Sequence, residues 1–489
     1  MTRRRFVLPR LWPAVHSLGW IVLTLAAAEA IMAGVAYGGD DGEGSSFAIG
    51  AAISLLAGGA AVMTTKGRAF ELSFRDAVIL TVAAWVVVPV FASVPFLLKP
   101  DDLSLVDAFF EMVSAVTTTG ATVMTGLDDR PPSLLLWRST VQWLGGFGII
   151  GLALIILPFL KIGGMQLFRM EFTDRGDKAL PRVRQIARAL GQIYLGLTAA
   201  CFVVYLLLGM TPFDALNHAM TTVCTGGMST HDLSFGYFEN EALHWAAVVF
   251  MIAGAIPFMA YLRFVGRGTF RERIEPQIPV LIGILGGVAA LMAIYLLASG
   301  EFTNVGEAVT RATFNVASIV TTTGYSSADY MAWGEFAILV FFLITFVGGS
   351  SGSTSGGIKI MRFQIVWATI VQQIHRLVHP HAVTPIRFGG RTVGDDQVLS
   401  VAVFVVAFLG LVAIGALLLS LTGLDFLSAA SGAAQAVANV GPGLGSIIGP
   451  AGSYASLSDI QKLVLCALMV LGRLEILSVL VLFSSRFYR

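Results

Sequence analysis

Four short stretches join glycine to small oxygen-bearing residues in a chain that is otherwise strongly apolar. Val-Thr-Thr-Thr-Gly fills 116–120 and returns unchanged at 320–324; weaker copies are Cys-Thr-Gly at 224–226 and Asn-Val-Gly at 439–441. Threonine supplies a hydroxyl and a backbone carbonyl, while glycine reaches positive φ and lets neighbouring carbonyls point the same way. Oxygen donors without carboxylates suit a large monovalent cation, because Ca²⁺ and Mg²⁺ recruit Asp and Glu. Glycine-centred loops around one axis could therefore replace the water shell of a dehydrated ion.

Such loops need elements to hold them at depth. An apolar stretch of about 12 residues, too short to span a bilayer, precedes each: SLVDAFFEMVSA (104–115), the start of TPFDALNHAMTTVCTGG (211–227), VGEAVTRATFNVASI (305–319) and the start of DFLSAASGAAQAVANVGPG (425–443). Aligned on Gly120, Gly226, Gly324 and Gly441, the copies stand 106 (226−120), 98 (324−226) and 117 (441−324) residues apart. A period near 100 predicts a fourfold repeat of span, short re-entrant helix, glycine loop and span. Irregular backbone at membrane depth survives only when buried in protein or lining a wet cavity.

Hydrophobic residues make up 56% of the chain and charged ones 12%, with a mean hydropathy of +0.80, which excludes a soluble globular domain. Ten apolar runs are predicted, at about 15–37, 47–65, 76–98, 135–160, 190–209, 243–265, 277–299, 335–372, 398–421 and 460–484. Five units follow: an N-terminal hairpin (1–70) and four pore-loop repeats (71–180, 181–272, 273–391 and 392–489). The fold class is an all-α integral membrane protein with four pseudo-symmetric helix–pore loop–helix repeats and a leading two-helix hairpin.

Cations crowd every second connection: Arg3, Arg4, Arg5 and Arg10, then Lys66, Arg68 and Arg75, then Lys161 to Arg188, Arg263 to Arg273, Lys359 to Arg391, and Arg486 with Arg489. The alternate connections hold only Lys99, Arg130, Arg138, Arg311 and Lys462. The positive-inside rule places both termini in the cytoplasm. The run at 25–30 (LAAAEA) resembles a signal-peptide cleavage site, but the apolar stretch continues to Tyr37, favouring a retained hairpin.

The run at 335–372 is interrupted from Gly348 to Gly357 (Gly348, Gly349, Ser350, Ser351, Gly352, Ser353, Thr354, Ser355, Gly356, Gly357), ahead of Lys359. Ten residues of Gly, Ser and Thr make no firm helix and predict a loop under the ion path. The stretch lacks the Gly-Lys-Ser/Thr ending of a phosphate-binding loop. Arg473 is the one cation read as deep in a span; a positive charge there would hinder cation passage. Its alternative is a tie to Glu475 or to a loop carbonyl. Asp128, His231, Asp232 and Asp329 follow the loops and suggest an acidic mouth. Cys201, Cys224 and Cys466 have no metal-ligand spacing. His375, His379 and His381 sit in a basic cytoplasmic stretch that suits partner docking or a lipid-facing surface, with a pH sensor as the alternative.

The four loops, GGSSGSTSGGIK (348–359), QWLGGFGI (142–149), TGGMSTHD (225–232), RLVHPHAV (376–383) and GRLE (472–475) together resemble the Trk/Ktr/HKT superfamily of potassium transporters, within it the TrkH branch. The resemblance implies a non-enzymatic protein that passes K⁺ through a selectivity filter. It places coordinating positions at Thr118, Thr119, Gly120, Cys224, Thr225, Gly226, Thr322, Thr323, Gly324, Asn439, Val440 and Gly441. It implies that the 348–357 loop obstructs the pore when closed, that the chain is a homodimer of a bacterial inner membrane, and that a TrkA-type cytosolic ring of nucleotide-binding subunits regulates it. No cofactor is expected on the chain itself. An H⁺- or Na⁺-coupled symporter is the alternative, since broken helices also mark that class. An enzyme built on Cys224, His231 and Asp232 lacks a second base and an oxyanion donor.

Overall fold

The computed structural model describes residues 11–68, 73–99, 103–155, 179–267, 275–381 and 384–484. The cationic stretches at 3–10, 161–178, 268–273 and 486–489 lie outside the described residues, as do Asp101 and Asp102.

Helices α1 (Trp12–Gly39) and α2 (Gly44–Thr65) form the leading hairpin. They pack closely because Gly19 faces Gly58, where an added Cβ would lie 2.9 Å from the Gly19 carbonyl oxygen. Four units of like build follow. The first is α3 (Phe74–Ala92), α4 (Leu105–Val116) and α5 (Pro132–Ile155). The second is α6 (Ala179–Leu207), α7 (Pro212–Val223), α8 (Glu241–Ala255) and α9 (Phe258–Arg267). The third is α10 (Gln277–Ala298), α11 (Val305–Val320), α12 (Glu335–Ile344) and α13 (Ile360–Val378). The fourth is α14 (Asp395–Leu421), α15 (Phe426–Ala438), α16 (Asp459–Arg473) and α17 (Leu477–Leu480). A two-residue ribbon, β1 (Arg387–Phe388) with β2 (Arg391–Thr392), departs from the helical pattern between the third and fourth units.

Among the described residues, six helices are long and apolar enough to cross a membrane, and the bent pair α8–α9 brings the number to seven. In α10 only 33% of the apolar window is buried, and Ile282, Leu291 and Ile294 project outward. An apolar surface of that extent is stable against lipid rather than water, so the protein is multi-pass.

The short helices α4, α7, α11 and α15 start on side-chain caps. Ser104, Thr211, Asn304 and Asp425 accept from the backbone N–H of Asp107, Asp214, Gly306 and Ser428 respectively. Each cap satisfies an orphan donor and fixes the helix start.

Two of the runs read as continuous are broken. The span expected at 243–265 turns by 91° between α8 and α9 at Ile256-Pro257, where proline removes a donor. The span expected at 460–484 ends at Arg473, and Glu475 takes φ +54°. The expected interruption of 335–372 stands between α12 and α13. Arg138, Arg311 and Lys462 belong to helices α5, α11 and α16, not to connections.

Candidate functional site

The four loops share one backbone signature. Thr118, Thr225, Thr322 and Asn439 adopt φ of 51°, 52°, 57° and 54°, and Gly120, Gly227, Gly324 and Gly441 follow two residues later at 85°, 74°, 85° and 108°. The hydrogen bonds agree: the N–H groups of Thr119, Gly226, Thr323 and Val440 donate to the carbonyls of Ser114, Thr221, Ser318 and Gln435 at 2.9, 2.9, 2.8 and 3.0 Å. Positive φ is a strained state for a β-branched residue, at about 1–3 kcal/mol each. Three threonines hold it here because pore helix and neighbours over-determine the loop.

This signature corrects the register of the second copy. Gly227, not Gly226, is the counterpart of Gly120, and Cys224 corresponds to Thr117. The paired glycines of Cys-Thr-Gly-Gly satisfy either alignment by composition alone. The structural spacing is 107 (227−120), 97 (324−227) and 117 (441−324).

The loops close on one another. A Cβ built on Gly120 would lie 2.1 Å from the Gly226 carbonyl oxygen; on Gly227, 1.9 Å from that of Thr323; on Gly324, 2.0 Å from that of Val440; on Gly441, 2.7 Å from that of Thr119. The order is therefore cyclic, and the carbonyls concerned sit at one equivalent position. Glycine is required at each seam by both φ and contact. A closed ring of carbonyls can coordinate a dehydrated cation.

Side chains brace it from behind. Thr117 and Thr119 join hydroxyls at 2.7 Å, as Thr321 and Thr323 do at 2.8 Å. Tyr325 places its hydroxyl 2.5 Å from Thr221 and 3.2 Å from Thr222, linking second and third units. Arg138 donates to Glu111 at 2.7 Å, and Glu111 accepts from the Val123 N–H at 2.9 Å; both side chains are buried. The sequence reading missed Gly227, Thr117, Thr321, Tyr325, Glu111 and Arg138. An arginine in the second turn of an apolar helix was the available signal for the buried pair.

Outside the ring lies a cavity of about 260 Å³ lined by Gly120, Gly227, Gly324 and Gly441 together with His231 and Asp232. His231 pairs with Asp128, lies 3.3 Å from Asp214, and stacks on Tyr237 with ring centroids 3.5 Å apart. Partial burial disfavours its charge, but the Asp214 and Asp128 carboxylates outweigh that and hold the imidazole above its ordinary pKa. The hydrogen bond from His231 lowers the pKa of Asp128. Asp329 accepts instead from the Met331 N–H. Cys224 packs against Gly146 and its thiol meets the Thr221 carbonyl at 3.5 Å, so the Cys224–His231–Asp232 grouping is not assembled.

Inside the ring, residues 348–357 form a buried plug. Gly356 N–H donates to Thr322 Oγ1 (2.6 Å), Gly357 N–H to the Ala438 carbonyl (2.8 Å), and Thr354 Oγ1 to the Val223 carbonyl (3.2 Å), so the plug touches three pore-helix ends. It also occupies the break after α8: Ser350 N–H donates to the Ala255 carbonyl at 2.9 Å, and the Phe258 N–H donates to the Gly352 carbonyl at 3.0 Å. Backbone groups left orphan by the broken helix are thereby satisfied. Arg473 donates to the Thr354 carbonyl at 2.7 Å, and Lys359 donates to the Ser355 carbonyl. Glu475 pairs not with Arg473 but with Arg362, at 2.6 Å. A cavity of about 40 Å³ remains between Asn439, Gly356, Lys359, Arg362, Arg473 and Glu475.

Comparison with known proteins agrees with this architecture. The family described as TrkH, cation transport protein, matches residues 43–303 and 300–488. The chain is 44% identical to the Trk system potassium uptake protein TrkI of Halomonas elongata over 100% of this chain and 99% of that one. It is 32% identical to the Trk system potassium uptake protein TrkH of Escherichia coli K12, over 96% and 98%. The crystal structure of the potassium transporter TrkH from Vibrio parahaemolyticus superposes with a TM-score of 0.90 at 34% identity, covering 98% of this chain and 100% of that one. A multi-pass chain of four interlocking pore loops, matched along its whole length, belongs to the TrkH family of cation transport proteins.

Proposed function

We propose that the chain carries K⁺ inward across a bacterial inner membrane, through a filter formed by the carbonyl ring and a gate formed by residues 348–357. The cyclic closure of four equivalent carbonyls, each against the next loop's glycine, is the observation that supports it most. Potassium is the cargo named for the relatives above. The oxygen-only ligand set, with no carboxylate in the ring, fits a weakly hydrated monovalent cation. We assign Thr118–Gly120, Thr225–Gly227, Thr322–Gly324 and Asn439–Gly441 to coordination, with Cys224 as a support.

With the plug hydrogen-bonded to Thr322 and Ala438 and tied to Arg473, the path below the ring is shut. Opening requires those bonds to break together. An inside-negative potential supplies about 2.3 kcal/mol per charge per 100 mV, so inward flux needs no other energy source. Both termini are assigned to the cytoplasm, the five units to 1–70, 71–180, 181–272, 273–391 and 392–489, and the regulator to a TrkA-type nucleotide-binding ring acting on a homodimer.

The test is ⁸⁶Rb⁺ or K⁺ uptake by proteoliposomes, wild type beside a 348–357 deletion, with Na⁺ as competitor. Faster uptake in the deletion, poorly blocked by Na⁺, is expected. Uptake that demands a second ion gradient would replace the pore with a symporter.

A further inference from the structure

Two quarters of the ring lack the threonine clasp that braces the other two: the fourth loop has Val440 with Ala438, and the second has no side chain at all at the clasp position. At the position of Thr119 and Thr323, whose hydroxyls join those of Thr117 and Thr321, the second loop has Gly226 with Cys224 behind it. The space is filled from another unit. A Cβ built on Gly226 would lie 2.2 Å from Cδ and 2.6 Å from Nε2 of Gln142, a fully buried residue of α5. Gln142 Nε2 donates to the Gly226 carbonyl at 2.8 Å, and its Oε1 accepts from the Met228 N–H at 3.2 Å. The amide thus brackets the seam glycine, Gly227.

Gly226 contributes the carbonyl that faces Gly120 in the ring. Among the described residues no donor reaches the equivalent carbonyls of Thr119, Thr323 or Val440. Helices α5, α8 and α16 each bring a glycine against a pore-helix carbonyl: Gly145 against Val116, Gly254 against Val223, Gly472 against Val437. Counting back three residues gives Gln142, Met251 and Met469, so only α5 carries an amide there.

We propose that Gln142 serves as the side chain that the second loop lacks, and that by holding the Gly226 carbonyl it is a positioning residue for ion selectivity. The inference rests on the pore reading above. A carbonyl already engaged by an amide donor is a fixed and weaker cation ligand, which disfavours the small, strongly hydrated Na⁺ relative to K⁺. It also couples the first unit to the second unit's loop across 84 residues of chain.

The experiment is the K⁺/Na⁺ uptake ratio of the full-length protein in liposomes. Gln142→Met keeps the volume and copies α8 and α16; it should lower the ratio about fivefold, the scale of one hydrogen bond. A triple variant, Gln142→Ala with Cys224→Thr and Gly226→Thr, rebuilds the threonine clasp and should recover most of the loss. Melting temperature in detergent is read beside both. A lowered melting temperature with an unchanged ratio in Gln142→Met would assign the residue a purely structural part and overturn the proposal. A wild type without K⁺ preference would remove the pore reading itself.

Discussion

The two sides of the carbonyl ring are built on opposite principles. Outside is a cavity of about 260 Å³, bordered by Asp232 and by His231 held between Asp128 and Asp214. Inside is about 40 Å³, bordered by Lys359, Arg362 and Arg473 against a single carboxylate, Glu475. The outer side concentrates cations in a wide space. The inner side opposes them in a narrow one, with its charges tied to the plug. Under the proposed function, control of flux lies below the ring and attraction above it.

The largest effect bears on the wall of the wider side, which Arg138 lines. Arg138→Ala strands the buried Glu111 charge and should destabilise the protein by about 3–5 kcal/mol. The yield of monodisperse protein after detergent extraction reads this, and adding Glu111→Gln should restore most of it. An unaffected yield would show that the outer wall does not depend on that pair.

At the ring itself, Gly324→Ala drives a Cβ to 2.0 Å from the Val440 carbonyl oxygen at φ +85°. Uptake should fall about 100-fold, the scale of an ångström-sized displacement of a reacting group. Retained flux with retained selectivity would mean that the ring is not the narrow point that divides the two sides.

Below the ring, Arg473→Ala removes both a positive charge and the bond to the Thr354 carbonyl. Flux should rise about tenfold, as one charge-assisted hydrogen bond is worth about 1.5–3 kcal/mol. Unchanged flux at equal expression would erase the contrast drawn between inner and outer electrostatics.

The smallest effect is above the ring. His231 has its pKa raised by Asp128 and Asp214, so its ion pairs are complete below the ordinary histidine value of about 6.5 and are lost as pH rises through the higher folded value. Loss of that positive charge makes the mouth more negative and should increase initial uptake about twofold at low salt. His231→Gln should abolish that pH step. A step that survives the substitution would move its origin away from the mouth.

What the sequence disclosed depended on how local each signal was. The identical pentapeptides at 116–120 and 320–324 announce two loops because side-chain type and backbone state repeat together. Cys-Thr-Gly-Gly hides its register, since either glycine satisfies a composition pattern and only φ at Thr225 and Gly227 distinguishes them. The break at Ile256-Pro257 vanished into a hydropathy run that stays apolar across it. Of the two alternative ties for Arg473, to Glu475 or to a loop carbonyl, the structure contains the second; Glu475, at positive φ, pairs with Arg362, 113 residues distant. Gln142 entered the sequence reading only as the first residue of QWLGGFGI (142–149), because its role exists only opposite Gly226.

The seams of the ring join four loops of one polypeptide, so each of the four seam carbonyls is encoded separately. In a tetramer of identical subunits every substitution strikes four times at once. Under the proposed function, one codon here alters one quarter of the coordination sphere, so ion preference can be graded in single steps and a damaging change in one loop can be offset in its neighbour. The unequal loops, with threonine, glycine, threonine and valine at the same position, are the record such stepwise adjustment would leave.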